Sequence, residues 1–154
     1  MTPKTALSVV AGALLIGGGM SFAAVSMSGA PAAPAEEQVV ELVNQARATA
    51  GCGPLTVDGR LTRAATEHST DMAQRGYFSH TTPEGVTFGQ RLRDAGYPAP
   101  GAENIARGHT SADQVVDDWL RSRGHRKNIM DCSLRTIGVG IETSGHYWTQ
   151  DFGR

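Results

Sequence analysis

The chain has 154 residues, with 14 basic and 15 acidic side chains and a formal net charge of −1. This near-neutral balance argues against binding nucleic acid over a large surface. The length allows one ordinary domain with a packed core, and no internal repeat is visible in the sequence.

The first residues have the composition of an export signal. Lys4 precedes an uncharged, mostly apolar run from Ala6 to Val25, and the first acidic residue is Glu36. Small residues follow the run, which predicts a cleaved signal peptide over residues 1–26. The alternative is an uncleaved N-terminal anchor, since the run is about long enough to span a membrane. Only such an anchor would bring the protein to a membrane.

A linker and a single domain are predicted after the leader. Residues 27–35 are rich in Ala and Pro, which is typical of a tether, and residues 36–154 form the predicted domain. An exported chain would be secreted, extracellular or associated with the cell envelope, where disulfides persist. Cys52 and Cys132 are therefore expected to pair, and closing that loop would stabilise the fold by roughly 4 kcal/mol.

Three helices are predicted in the first half of the domain. The first, from Glu36 to Ala50, has apolar residues at three- and four-residue steps. The second runs from about Gly59 to Gly76 and follows Asp58, a favourable N-cap. His68 lies on the core-facing stripe of this helix, which is more typical of a buried, hydrogen-bonded histidine than of a site residue. A shorter helix is predicted from Val86 to Ala95.

The second half of the domain supplies the strands and one more helix. Glu103 to Ala106 is predicted to be extended. Ser111 to Gln114 matches a capping box, and the helix that it starts is expected to end at Gly124. Ile137 to Ile141 and His146 to Phe152 are predicted to pair as an antiparallel hairpin. This order of elements predicts an α+β domain in which helices cover both faces of an antiparallel sheet.

Three side chains are candidates for chemistry because they stand outside the apolar periodicity. His80 follows the second helix, Glu103 lies in a short apolar strand, and His125 directly follows the predicted helix end at Gly124. A buried Glu103 would need a partner, because burying an unpaired carboxylate is costly. A solvated loop histidine and a surface glutamate on an edge strand are the alternatives left open.

Basic residues cluster around His125. The cluster comprises Arg121, Arg123, Arg126 and Lys127. We interpret it as a solvated loop with favourable charges at a helix C-terminus, in preference to a specific anion site.

Four stretches, in order, carry a resemblance to a known family. They are Phe78-Ser79-His80, Glu103-Asn104-Ile105-Ala106, Trp119 to Ile129 with Gly124-His125-Arg126 inside it, and Ile137-Gly138-Val139-Gly140 followed by Tyr147 to Gly153. From about Val39 to Gly153 the chain resembles a bacterial member of the CAP superfamily, the SCP-like extracellular domains (cysteine-rich secretory, antigen 5 and plant pathogenesis-related proteins). The resemblance implies a three-layer α-β-α sandwich with a central antiparallel sheet. It also implies a cleft lined by two histidines and acidic residues, which match His80, His125 and Glu103.

Two positions depart from the fuller family pattern. Eukaryotic members have a second glutamate three residues after the helix tryptophan, where this chain has Ser122. Arg123 stands where many bacterial relatives have proline. A mechanism that needs two glutamates is therefore not expected. Ser122 and His68 are kept as further cleft candidates.

Two functions are predicted from the trio His80, His125 and Glu103. Imidazole and carboxylate groups suit zinc or another divalent cation. Some members of the family that the chain resembles bind such ions at the paired histidines. We therefore expect a secreted, monomeric binding module for a divalent cation, whose cleft also takes an apolar or lipid ligand or a cell-envelope component. The alternative is a metal-dependent hydrolase, a protease or cell-envelope hydrolase, in which Glu103 activates water beside the two histidines. Whether the protein is an enzyme stays open at this point.

Overall fold

The computed structural model describes residues 32–154, so the predicted leader and the linker up to residue 31 lie outside the described residues. Within residues 32–154, no helix combines the length and the apolar character that crossing a membrane requires. The helices are α1 (Ala35–Thr49), α2 (Gly59–Arg75), α3 (Phe88–Asp94), α4 (Ala112–Arg121) and α5 (Arg123–Ile129); the strands are β1 (Thr56–Val57), β2 (Pro100–Arg107), β3 (Thr136–Glu142) and β4 (Tyr147–Gly153).

The four strands form one sheet in the order β1-β3-β4-β2. Strands β3 and β4 make the predicted antiparallel hairpin, and β2 pairs antiparallel with β4 so that Glu103 lies opposite Asp151. Strand β1 adds a two-residue parallel pairing with β3, which the prediction of a purely antiparallel sheet did not include. The three-layer α-β-α architecture is confirmed.

The main core lies between one face of the sheet and the helices α1 and α4. Alternate side chains of β3 and β4 point to this face, because successive residues of a strand face opposite sides. They pack with apolar residues of both helices around the fully buried Trp119. The indole Nε1 of Trp119 also donates a hydrogen bond of 3.2 Å to the backbone oxygen of Ile105 on the edge strand β2.

Helix α2 packs directly on the backbone of β3 at the opposite face. A Cβ atom at Gly138 would lie 2.2 Å from the backbone nitrogen of Thr62, and one at Gly140 would lie 2.2 Å from that of Thr66. Only glycine permits so close an approach. The Ser69 hydroxyl adds a hydrogen bond of 3.1 Å to the Gly140 oxygen. This packing fixes α2, and with it the loop that carries His80.

The predicted helix end at Gly124 and the loop position of His125 were wrong. Helix α4 ends at Arg121, and Ser122 leaves the helical conformation with φ −78° and ψ 122°. Ser122 is then the N-cap of α5, which contains both Gly124 and His125. Gly124 misled the prediction because a glycine often ends a helix by adopting a positive φ, which Gly124 does not adopt.

A disulfide and a buried arginine connect the loop after α5 to the end of α1. Cys52 and Cys132 form the predicted disulfide, with Cα atoms 5.0 Å apart. Arg47, in the last turn of α1, is fully buried and donates hydrogen bonds to backbone oxygens. Its acceptors are Gly53 at 3.1 Å, Ile129 at 2.7 Å, Asp131 at 2.9 Å and Leu134 at 3.2 Å. No pattern in the sequence predicted this role for Arg47.

Candidate functional site

Glu103 on β2 is the centre of the candidate site. Its side chain is only 1% exposed. Oε1 lies 2.8 Å from Nδ1 of His80, and Oε2 lies 2.5 Å from Nη2 of Arg91. The carboxylate thus has the partner that its burial requires, and both of its oxygens are engaged.

Arg91 of α3 completes this arrangement, and sequence reasoning missed it. Besides pairing with Glu103, its Nη1 donates to the backbone oxygens of His80 at 2.9 Å and Val86 at 3.3 Å. Arg91 therefore holds both the carboxylate and the loop beside it. An arginine on a short helix is ordinarily solvated, so the only signal was the need of Glu103 for a partner.

The ring of His80 is oriented by Glu103. Because a carboxylate only accepts hydrogen bonds, the neutral ring carries its hydrogen on Nδ1 and keeps a free electron pair on Nε2. The side chain is 49% exposed, so this nitrogen is within reach of solvent or a ligand. Histidines that bind a metal through one ring nitrogen commonly donate a hydrogen bond from the other ring nitrogen to a carboxylate.

Helix α5 is tied to β2 through Asn128. The Asn128 amide donates to the backbone oxygen of Glu103 at 3.2 Å and to Oδ1 of Asn104 at 2.8 Å. Asn104 in turn donates to the backbone oxygen of His125 at 3.3 Å. These bonds cross from the edge strand to the helix and fix the position of the second histidine.

His125 has a buried Nδ1 without a hydrogen-bond partner among the described residues. Burial lowers the pKa of His125, and the nearby His80 lowers it further. Both effects favour the neutral imidazole, which is the form that binds metals.

Asp151 is a second buried carboxyl group beside Glu103, and sequence reasoning did not single it out. It lies on β4 directly opposite Glu103 and is completely buried. Neither of its side-chain oxygens accepts a hydrogen bond from the described residues. Burial raises the pKa of Asp151 well above its ordinary value, and the Glu103 carboxylate raises it further. The protonated form is thus favoured.

We expect Asp151→Asn to remove a pH dependence of stability. The folded chain keeps a proton that the unfolded chain has lost, so the free energy of unfolding falls as pH rises. The slope is about 1.4 kcal/mol per pH unit between about pH 4 and the raised folded pKa. Asparagine keeps the shape and donates to Glu103 without titrating. Urea unfolding from pH 4 to pH 8 should show a flatter profile and a more stable variant at neutral pH. Equal slopes in the two proteins would contradict the protonated Asp151.

The two further cleft candidates, His68 and Ser122, do not line the cavity that opens beside Glu103. His68 is buried on α2 as predicted, and its Nε2 lies 2.9 Å from the backbone oxygen of Ser79. Burial is the largest of several influences on His68 and lowers its pKa. The residue therefore supports the loop before His80. Ser122 is half-buried at the junction of α4 and α5.

A cavity of about 370 Å³ opens beside Glu103. It is lined by His80, Phe88, Gly101, Ala102, Glu103 and Asn128. Within residues 32–154, no group of three or more His, Cys, Asp or Glu side chains is arranged to hold a metal ion. The structure therefore brings His80 and Glu103 into contact and places His125 nearby, on the helix that Asn128 anchors.

Comparison with known proteins gives matches over most of the described chain. The family model of the cysteine-rich secretory protein (CAP) family matches residues 40–152. The uncharacterized protein YkwD of Bacillus subtilis (strain 168) is 40% identical over 119 residues, which cover 76% of this chain and 46% of YkwD. The uncharacterized membrane protein YlbC of the same organism is 33% identical over 118 residues, which cover 76% of this chain and 34% of YlbC. The chain thus spans less than half the length of these relatives.

Two solved structures also match most of the described chain. An extracellular protein containing an SCP domain from Bacillus anthracis str. Ames superposes with a TM-score of 0.73 at 32% identity, covering 82% of this chain and 45% of that one. An outer surface protein from Borrelia burgdorferi superposes with a TM-score of 0.71 at 21% identity, covering 79% of this chain and 96% of that one. The second match bears on the fold alone.

Proposed function

The chain belongs to the cysteine-rich secretory protein (CAP) family, and from this premise we propose that it is an extracellular binding domain for a divalent cation. The ion would be held by His80 and His125. The observation that carries the proposal is the 2.8 Å hydrogen bond between Nδ1 of His80 and Glu103, which leaves Nε2 free. The extracellular SCP-domain protein from Bacillus anthracis supports the location.

In this proposal Glu103 does not bind the ion. Binding an ion or activating water would require it to release Arg91 or His80, and its side chain is almost fully buried. We therefore assign Glu103 to orienting His80. The same contacts disfavour the alternative of a hydrolase in which Glu103 is the general base.

Two imidazole nitrogens suit zinc, an ion of intermediate softness. Zinc accepts imidazole nitrogen, and two protein ligands leave positions for water or for a group of an outside ligand. Phe88 and Ala102 give the neighbouring cavity an apolar wall. This supports an apolar group, from a lipid or a cell-envelope component, lying beside the ion.

We expect calorimetry to show saturable zinc binding that is lost in His80→Ala/His125→Ala. Binding should also weaken at acidic pH, because protonated imidazole does not bind metal. Glu103→Gln should reduce the affinity by about 10- to 100-fold, as loss of an orienting partner typically does.

The matched control is His109→Ala/His146→Ala, which removes two histidines that have no role in the proposed site. This control should bind zinc like the wild type. The proposal fails if the wild type does not bind, or if the two double variants lose the same affinity.

A further inference from the structure

Helix α5 has a second face that the proposed metal site does not use. The backbone oxygen of His125 and the side chain of Asn128 are hydrogen-bonded to β2, while another part of the helix lies toward the C-terminal end of α1. An open cavity of about 570 Å³ lies there. It is lined by Thr49, Ala50, Arg121, Arg123, Arg126, Lys127 and Met130.

The lining of this cavity has four cations and no acidic side chain. Arg121 pairs with Asp117 at 2.7 Å, but both side chains are exposed, and such a pair contributes little. Within residues 32–154, the side chains of Arg123, Arg126 and Lys127 make no ion pair. The chain as a whole is slightly acidic, with a net charge of −1, so this positive charge is a local feature.

The end of α1 does not require these cations. The last carbonyl oxygens of α1 already have donors within their own segment. The Ala46 oxygen accepts from the Thr49 hydroxyl, the Arg47 oxygen from the Cys52 nitrogen, and the Ala48 oxygen from the Gly51 nitrogen. The predicted loop was wrong, because three of the four cations lie on α5. The predicted position at a helix C-terminus agrees with the structure, since Arg121 lies in the last turn of α4, and Arg126 and Lys127 lie in the last turn of α5. Like charges held together without partners repel, and an anion between them would relieve that repulsion.

We propose that this cavity binds a soluble polyanion with repeated phosphate groups. A guanidinium group presents a planar fork that matches phosphate, and a lysine adds a mobile point charge. Exposed cations spread around a wide opening attract an extended anion through their summed field. The inference does not depend on the proposed metal site, because neither His80 nor Glu103 lines this cavity.

The residues that line the cavity favour some classes of polyanion over others. None of its residues is aromatic, so the bases of a single-stranded nucleic acid would have nothing to stack on. The exposed large apolar residues of the described chain, Val57 and Phe78, lie outside the lining, so an anionic membrane would gain no apolar insertion here. A phosphate polymer without bases or acyl chains is the ligand that fits.

The test measures binding of long-chain inorganic polyphosphate to the full chain at several salt concentrations. The wild type should bind, with an affinity that falls linearly on a logarithmic salt scale. Arg123→Gln/Arg126→Gln/Lys127→Gln should bind at least about tenfold more weakly, and its salt slope should be smaller by roughly 3. A charge-conserving variant, Arg123→Lys/Arg126→Lys, should keep the wild-type slope.

The matched control is Arg63→Gln/Arg93→Gln/Arg135→Gln, which removes the same charge from exposed positions outside the cavity. It should keep most of the affinity. Each variant's thermal midpoint is measured, and the double variant Arg123→Gln/Lys127→Gln, with an expected slope change of roughly 2, carries the comparison if the triple glutamine variant does not fold. Absence of polyphosphate binding, equal losses in the two triple variants, or binding to phosphatidylglycerol vesicles without binding to polyphosphate would each overturn the proposal.

Discussion

Arg47→Met is expected to lower the free energy of unfolding by about 3 to 5 kcal/mol, because several buried carbonyl oxygens lose their donor together. Methionine matches the length of arginine but donates no hydrogen bond. Burial disfavours the charged guanidinium and is the largest influence lowering the pKa of Arg47. The stabilising contribution of Arg47 therefore comes from its four hydrogen bonds to backbone oxygens. Urea unfolding at neutral pH measures the difference.

The matched control for this prediction is Arg93→Met on the surface of α3. Arg93 is exposed and donates only to Gly89 within its own helix. Its replacement should change the free energy of unfolding by about 0.5 kcal/mol or less. A similarly small loss for Arg47→Met would show that the orphaned carbonyls find other donors. Zinc affinity should fall with Arg47→Met, since the loop that it holds follows α5.

Cys52→Ala/Cys132→Ala is expected to lower the free energy of unfolding by about 4 kcal/mol, because the disulfide closes a loop between residues 80 apart. The unfolded chain without this link has many more conformations. Unfolding in denaturant with and without dithiothreitol checks the result, since reductant should destabilise the wild type and leave the variant unchanged. Equal stability of the oxidised and reduced wild type would contradict the prediction.

Arg47 and the disulfide should not act independently. Both attach the loop after α5 to the end of α1, so loss of one leaves that loop less ordered for the other. Residues that share a structural element typically show coupling of 0.5 kcal/mol or more in a double-mutant cycle. We therefore expect the combined variant to lose less stability than the sum of the two separate losses.

Local patterns predicted most of the secondary structure. Apolar spacing placed α1, α2 and α4 within a few residues, and the glycine-containing turn identified the β3–β4 hairpin. These signals succeed because they arise from neighbours in the chain. Helix α5 was missed because its seven residues are too few for a clear period.

The residues that sequence reasoning missed act across the fold. Arg91 bonds Glu103 from another element, and Asp151 lies opposite Glu103 only because β4 pairs with β2 in that register. Arg47 reaches carbonyls more than 80 positions away in the chain. No local pattern carries these contacts. His80 was found because it stands outside the apolar periodicity, and Glu103 because a carboxylate in an apolar strand requires a partner.

The side-chain bonds to β2 also bear on self-association. β2 is an edge strand, and such edges can recruit a strand from another molecule and begin fibril growth. Here the amide of Asn128 and the indole of Trp119 already bond the oxygens of Glu103 and Ile105. An incoming strand would have to displace both groups and uncover the buried Trp119. The same contacts that organise the cleft thus close this edge to templated aggregation.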